Sequence, residues 1–105
     1  MTINGKELDF KISNLKDAGN FEMASMHMDA SEEEIKKLGD KAGISTTFAK
    51  TIEAFQKFFI EATGVDVLEG CGDLQEAIDV FNEFVEEVKQ QKELLLRPFS
   101  TKRIV

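Results

Sequence analysis

Met23, Met26, His27 and Met28 crowd into one short run of a chain that holds a single histidine and a single cysteine, Cys71. Thioether and imidazole donors together are ligands for Cu(I). On a helix, Met23, Met26 and His27 would share an arc of about 100°, and Met28 would point elsewhere. With no second histidine, and with Cys71 distant in sequence, the donor set is too small to specify a metal centre. Catalysis fares no better. His27 has no nucleophile or carboxylate at a spacing that makes a relay. Cys71, between Gly70 and Gly72, has no recognisable base beside it. A reactive thiol needs a cation or a helix N-terminus, and Asp73 close by works against thiolate formation. Acid–base chemistry by paired carboxylates needs a pocket that shifts one pKa, and no pattern here implies one. The run GVDVLEGCG has neither the glycine spacing nor the Lys-Ser/Thr of a phosphate-cradling loop. The sequence therefore predicts no catalytic, cofactor-binding or metal-binding residues and no enzyme. A metal or redox protein built on Met23, Met26, His27 and Cys71 stands as a rival that copper titration separates.

The elements that carry these residues belong to one domain. The 105 residues, 42% hydrophobic and 31% charged, suit a single soluble core that needs no disulfide or metal staple. A lone thiol fits a reducing cytosol, and no apolar run approaches the roughly 20 residues of a membrane helix. The start, MTINGKELDF, lacks the basic and apolar regions of a secretory signal. Charge is uneven. Residues 1–91 hold 9 Lys/Arg and 19 Asp/Glu, a balance of −10, whereas Lys92, Arg97, Lys102 and Arg103 against Glu93 give residues 92–105 +3. An acidic body argues against nucleic-acid binding, which rests on phosphate neutralisation. The basic tail is either a solvated end or complementary to an acidic body, including that of a neighbouring copy.

Periodicity predicts a mainly α fold. Leu8, Phe10 and Ile12 alternate with charged residues, as in a half-buried strand, and Asn4-Gly5 is a turn signal. Residues 1–13 thus read as an extended or β-like arm, which pairs back across the turn, pairs with another chain, or lies on the helices. Asn14 caps a helix to about His27. Ser31 and Glu34 form a capping box that opens a second short helix, closed by Gly39 or Gly43. From Ser45, the residues Ile44, Phe48, Ile52, Phe55, Phe59 and Ala62 make a stripe at helical spacing that Gly64 ends. Asp73 and Glu76 form another capping box. The following stripe of Leu74, Ala77, Ile78, Phe81, Phe84, Val85 and Val88 lapses at Gln90, resumes at Leu94–Leu96 and is stopped by Pro98. The expected architecture is a small helical domain with two long antiparallel helices, about 45–63 and 73–96, and shorter N-terminal helices before them. Phe48, Ile52, Phe55, Phe59, Phe81, Val85 and Val88 are its expected core.

More apolar side chains remain than two packed stripes absorb. Leu15, Met23 and Met26 mark one side of the first helix, and Phe21, Ala24 and Met28 nearly the other, so this helix is either deeply buried or shared between a core and a partner. Methionine recurs on surfaces that bind varied apolar segments, and large exposed apolar patches mark association sites. The candidate partner-binding residues are Met23, Met26, Met28, Phe58, Ile60, Leu94, Leu95 and Phe99. Phenylalanine without Tyr or Trp asks for no hydrogen bond, so the surface would recognise greasy segments.

The INGKELDF opening, the long helix ending in Phe58-Phe59, the connection GVDVLEGCG and the closing run Asp73 to Gln91 together resemble the tail-assembly chaperones of siphophages that infect Gram-positive bacteria. The resemblance implies a non-enzymatic protein of the infected host's cytoplasm, absent from the finished particle. It also implies a client, the long hydrophobic tape measure protein, and self-association in a ring or spiral. A helix-in-groove contact between an apolar helical client and a greasy surface is the corresponding mechanism. The rival of a different class is a small helical adaptor that binds a soluble partner one-to-one, which a concentration-independent monomer would favour.

Overall fold

The structure, a computed structural model, describes the backbone of residues 1–104 and the side chains of residues 1–39 and 41–97. Three helices follow a two-stranded antiparallel hairpin: β1 (Thr2–Ile3), β2 (Lys6–Glu7), α1 (Leu15–Leu38), α2 (Ile44–Thr63) and α3 (Leu74–Ile104), with a 3₁₀ turn Gly39–Lys41 between α1 and α2. The chain is mainly α-helical.

The arm resolves the three pairing alternatives in favour of the turn. Ile3 pairs with Lys6 and Thr2 with Glu7. Asn4 and Gly5, at φ of 50° and 77°, supply the two left-handed residues that a tight hairpin of this hand requires. Strand pairing stops at Glu7. Leu8 and Phe10 nevertheless bury fully, and Ile12 lies half-buried with its N–H donating to Gln91 Oε1 at 3.1 Å.

α1 begins where expected, with Asn14 Oδ1 accepting from the backbone N–H groups of Lys16 and Asp17. It does not break near Met28. Ser31 and its glutamates lie inside one helix of 24 residues that Gly39 closes. Neither Pro nor Gly separates Met28 from Ser31, and half-buried Ile35 and Leu38 lie across a groove from Lys50 and Ala54. Tertiary packing along the whole of α1 thus outweighs the local capping signal.

α1 and α2 form the antiparallel pair. His27 meets Glu61, while residues 31–38 face residues 50–57. α2 and α3 do not pair as expected. The connection after Gly64 runs back along α2, held by Gln56 Nε2 donating to Leu68 O at 3.2 Å. α3 therefore starts beside Ile52, where Leu74 shares a groove with Phe48, and climbs in the same sense as α2: Phe81 packs on Phe55, and Phe84 on Phe58 and Phe59. Asp73 caps α3 through its Oδ1, which accepts from the N–H groups of Gln75 and Glu76.

Seven phenylalanines knit the core: Phe10, Phe21, Phe55, Phe58, Phe59, Phe81 and Phe84, with ring centroids 4.9–6.5 Å apart. Most meet edge-on or tilted, which suits the ring quadrupole. Ile52, Phe55, Phe59 and Val88 are buried as expected, with Phe81 and Val85 half-buried. Phe48 is a correction. It stands exposed at the start of α2, because α3 first reaches α2 near Ile52 and leaves the two turns before it uncovered. α3 also runs past Pro98 to Ile104. The missing N–H removes one helical bond, and the strong helix formers from Gln90 to Arg97 carry the helix through.

Candidate functional site

Among the described residues the three helices leave groups of apolar side chains in water at three places, and each follows from how the elements pack. On α1, Ala24 is fully buried with Phe21 and Met28 half-buried beside it. The helix therefore spends one apolar side on the core. Met23 and Met26, on the other side, are left open, Met26 at 63% exposure. His27 Nδ1 sits 2.7 Å from Glu61 Oε1, which ties this part of α1 to the last turns of α2. Ile60, next to Glu61, is exposed as well. Met23, Met26 and Ile60 thus all lie within a turn of one inter-helix contact.

The second place is the start of α2, where Ile44 is 74% exposed and Phe48 is open. Phe48, Ala49 and Ile52 line an open groove against Cys71 and Leu74. The thiol of Cys71 is half-buried there and donates to Asp73 O at 3.3 Å. The third place is the end of α3. Val88 is its last buried residue among those described, and Leu94, Leu95 and Leu96 are all exposed, Leu94 at 60%. Three consecutive leucines span about 200° of the helix, so their shared exposure means that the body covers little of this stretch. Lys11, Ser13 and Gln91 line a shallow groove with Leu94 and Leu95.

Of the expected surface residues, Met23, Met26, Ile60, Leu94 and Leu95 are exposed and Met28 is half-buried. Phe58 is a correction. It is 2% exposed, packed against Phe21 of α1 and Phe81 and Phe84 of α3. The stripe of α2 seen from sequence faces α3 from Ile52 onward. Phe58 lies on the flank toward α1, and a helix held between two others buries both flanks. The Phe99 side chain lies outside the described residues. Leu15, 90% exposed at the start of α1, and Ile44 were not singled out as surface. Ile44 gave no signal, since it continues the stripe that buries Ile52 and Phe55.

No polar or charged residue among those described is buried, and no buried side-chain polar atom lacks a partner. Nor do three or more His, Cys, Asp or Glu residues come together among those described. Among the described residues the one clear electrostatic perturbation is Glu7. Its carboxyl is held below its ordinary pKa by the Thr2 hydroxyl, and next by the hydrogen bond and charge of the N-terminal ammonium. This group is fully exposed at the hairpin and faces no cavity. No helix among the described residues is long and apolar enough to cross a membrane.

No curated protein and no solved structure matches the chain. The sequence does match, over residues 4–102, the family described as a family of unknown function (DUF6673), and the chain belongs to that family.

Proposed function

We propose that this protein is a non-enzymatic chaperone of phage tail assembly, which coats the hydrophobic, helical tape measure protein and keeps it in solution until the tail tube closes round it. The observation that carries the reading is the placement of exposed apolar residues. Met23, Met26, Ile44, Phe48, Ile60 and Leu94–Leu96 remain in water after the core is filled. Burying one such side chain against a client is worth roughly 1.5–3 kcal/mol, so a few anchors suffice for a reversible hold. They also lie at three separate places on a body 58 Å long. That distribution favours many copies laid along an extended client over an adaptor with one compact patch. The acidic body, at −10 over residues 1–91, would give the coated assembly a charged outer surface and keep it soluble. The site of action is the cytoplasm of the infected host, and the protein is absent from the finished particle.

Co-expression with the tape measure protein of the same phage tests the reading. The client should be insoluble alone and soluble with this protein. Replacing Met23, Met26 and Leu94 together by Ser should leave the melting temperature of the chaperone nearly unchanged and return the client to the pellet. A client that stays insoluble beside the unaltered protein would remove the proposal.

A further inference from the structure

The charge of α3 changes sign along its length. Residues 73–88 hold Asp73, Glu76, Asp79, Glu83, Glu86 and Glu87 with no lysine or arginine, a balance of −6. Residues 89–103 hold Lys89, Lys92, Arg97, Lys102 and Arg103 against Glu93, a balance of +4. Among the described residues neither those six carboxylates nor Lys89 and Lys92 enter an ion pair. Because α3 is one helix from Leu74 to Ile104, about 46 Å long at 1.5 Å per residue, its basic end cannot fold back onto its own acidic half. The arm residues that line a groove with Leu94 and Leu95 are Lys11 and Ser13, which supply no carboxylate.

We propose that α3 pairs with α3 of a second copy, antiparallel and centred near Val88, so that each basic end lies on the acidic half of the other. An antiparallel two-fold pair satisfies both halves at once with one self-complementary surface, whereas a parallel pair would set like charge on like charge. The pairing deepens the reading above, in which many copies lie along one client, and rests on that many-copy part alone. It needs no client.

Sedimentation velocity on the purified protein, without client and at low ionic strength, tests it. The unaltered chain should dimerise and dissociate as salt is added, since exposed charge pairs are screened. Lys89→Glu with Lys92→Glu in one variant, and Glu83→Lys with Glu86→Lys in another, should each raise the dimer dissociation constant by about tenfold or more. All four side chains are exposed, and circular dichroism of both variants should match the unaltered chain. Mixed together the two variants should recover association, because each reversed end then faces a reversed half. A chain that is monomeric at every concentration overturns the pairing, as does a mixture that associates no better than either variant alone. A monomeric chain that still solubilises the tape measure protein overturns the α3 pair and leaves the chaperone function standing.

Discussion

Phe58 lies edge-on to Phe21, with ring centroids 6.1 Å apart, and the contact joins α1 to α2 at the point where α3 also arrives. Phe59, Phe81 and Phe84 pack on the same ring at 5.0–5.9 Å. One side chain thereby holds three helices. Phe58→Ala should destabilise the fold by about 3–5 kcal/mol, the cost of a large cavity in a packed aromatic core. Met26→Ser, on an exposed methionine, should cost about 0.5 kcal/mol or less. Urea unfolding of the two variants checks the contrast. A small effect at Phe58 would mean that the helices are not held together there.

The pair between His27 and Glu61 invites the opposite expectation. Its geometry is close, 2.7 Å, yet the two side chains are 61% and 34% exposed. A contact this exposed contributes about 0–1 kcal/mol, because water competes for both groups. His27→Ala should therefore lower stability by less than about 1 kcal/mol. Comparing the urea midpoints of the variant and the unaltered chain measures this. A loss of about 2 kcal/mol or more would mean a structural role beyond an exposed pair.

How much of this was readable in the sequence divides by range. The caps Asn14 and Asp73, the stop at Gly64 and the turn Asn4-Gly5 are local devices, in which a side chain or a left-handed residue acts on backbone within a few positions. They were legible and they hold. Ser31 carries an equally good local signal, and packing of α1 on α2 overrides it. The direction of α3 depends on contacts between residues far apart, such as Gln56 with Leu68 and Asn4 with Val67. No periodicity encodes those. The same limit misplaced Phe48 and Phe58. A stripe tells which residues share a helix face, not where a neighbouring helix begins or whether a third helix covers the flank. The exposed methionines and leucines were legible as an apolar excess, and their division among three places required the fold.

Asn4 is the residue whose removal should show how the connection is fixed. Its Nδ2 donates to Val67 O at 2.7 Å, and Lys6 Nζ donates to Asp66 O at 2.9 Å, so the hairpin clamps the returning segment that buries Val67 and Leu68. Asn4 also occupies a left-handed position, φ 50°, which alanine adopts poorly. Asn4→Ala should cost about 1–3 kcal/mol from the lost hydrogen bond and the turn strain together. Asn4→Gly should recover the turn but not the bond, and so fall between the two. Native-state hydrogen exchange should show the loss first at the N–H groups of Leu68 and Cys71, which close the connection on Asp66 Oδ1 and Leu68 O. Protection unchanged there would mean that the clamp does not hold this segment.

Glu7 supplies a pH dependence whose sign is fixed by its environment. The Thr2 hydroxyl, and then the N-terminal ammonium, favour the carboxylate and lower its pKa in the folded hairpin. The unfolded chain returns the group to the ordinary range, about 4.3. The folded state then binds the proton less readily, so its contribution is fully present above the unfolded value and is lost as pH falls through the lower folded value. Glu7→Gln should remove this component. The stability difference between the unaltered chain and the variant should be flat above about pH 5.5 and should shrink below about pH 4. Because the group is fully exposed, the difference should also diminish with salt. Urea titrations across this range read the difference directly. A gap that instead grew on acidification would mean that the hydroxyl and the ammonium do not favour the ionised side chain.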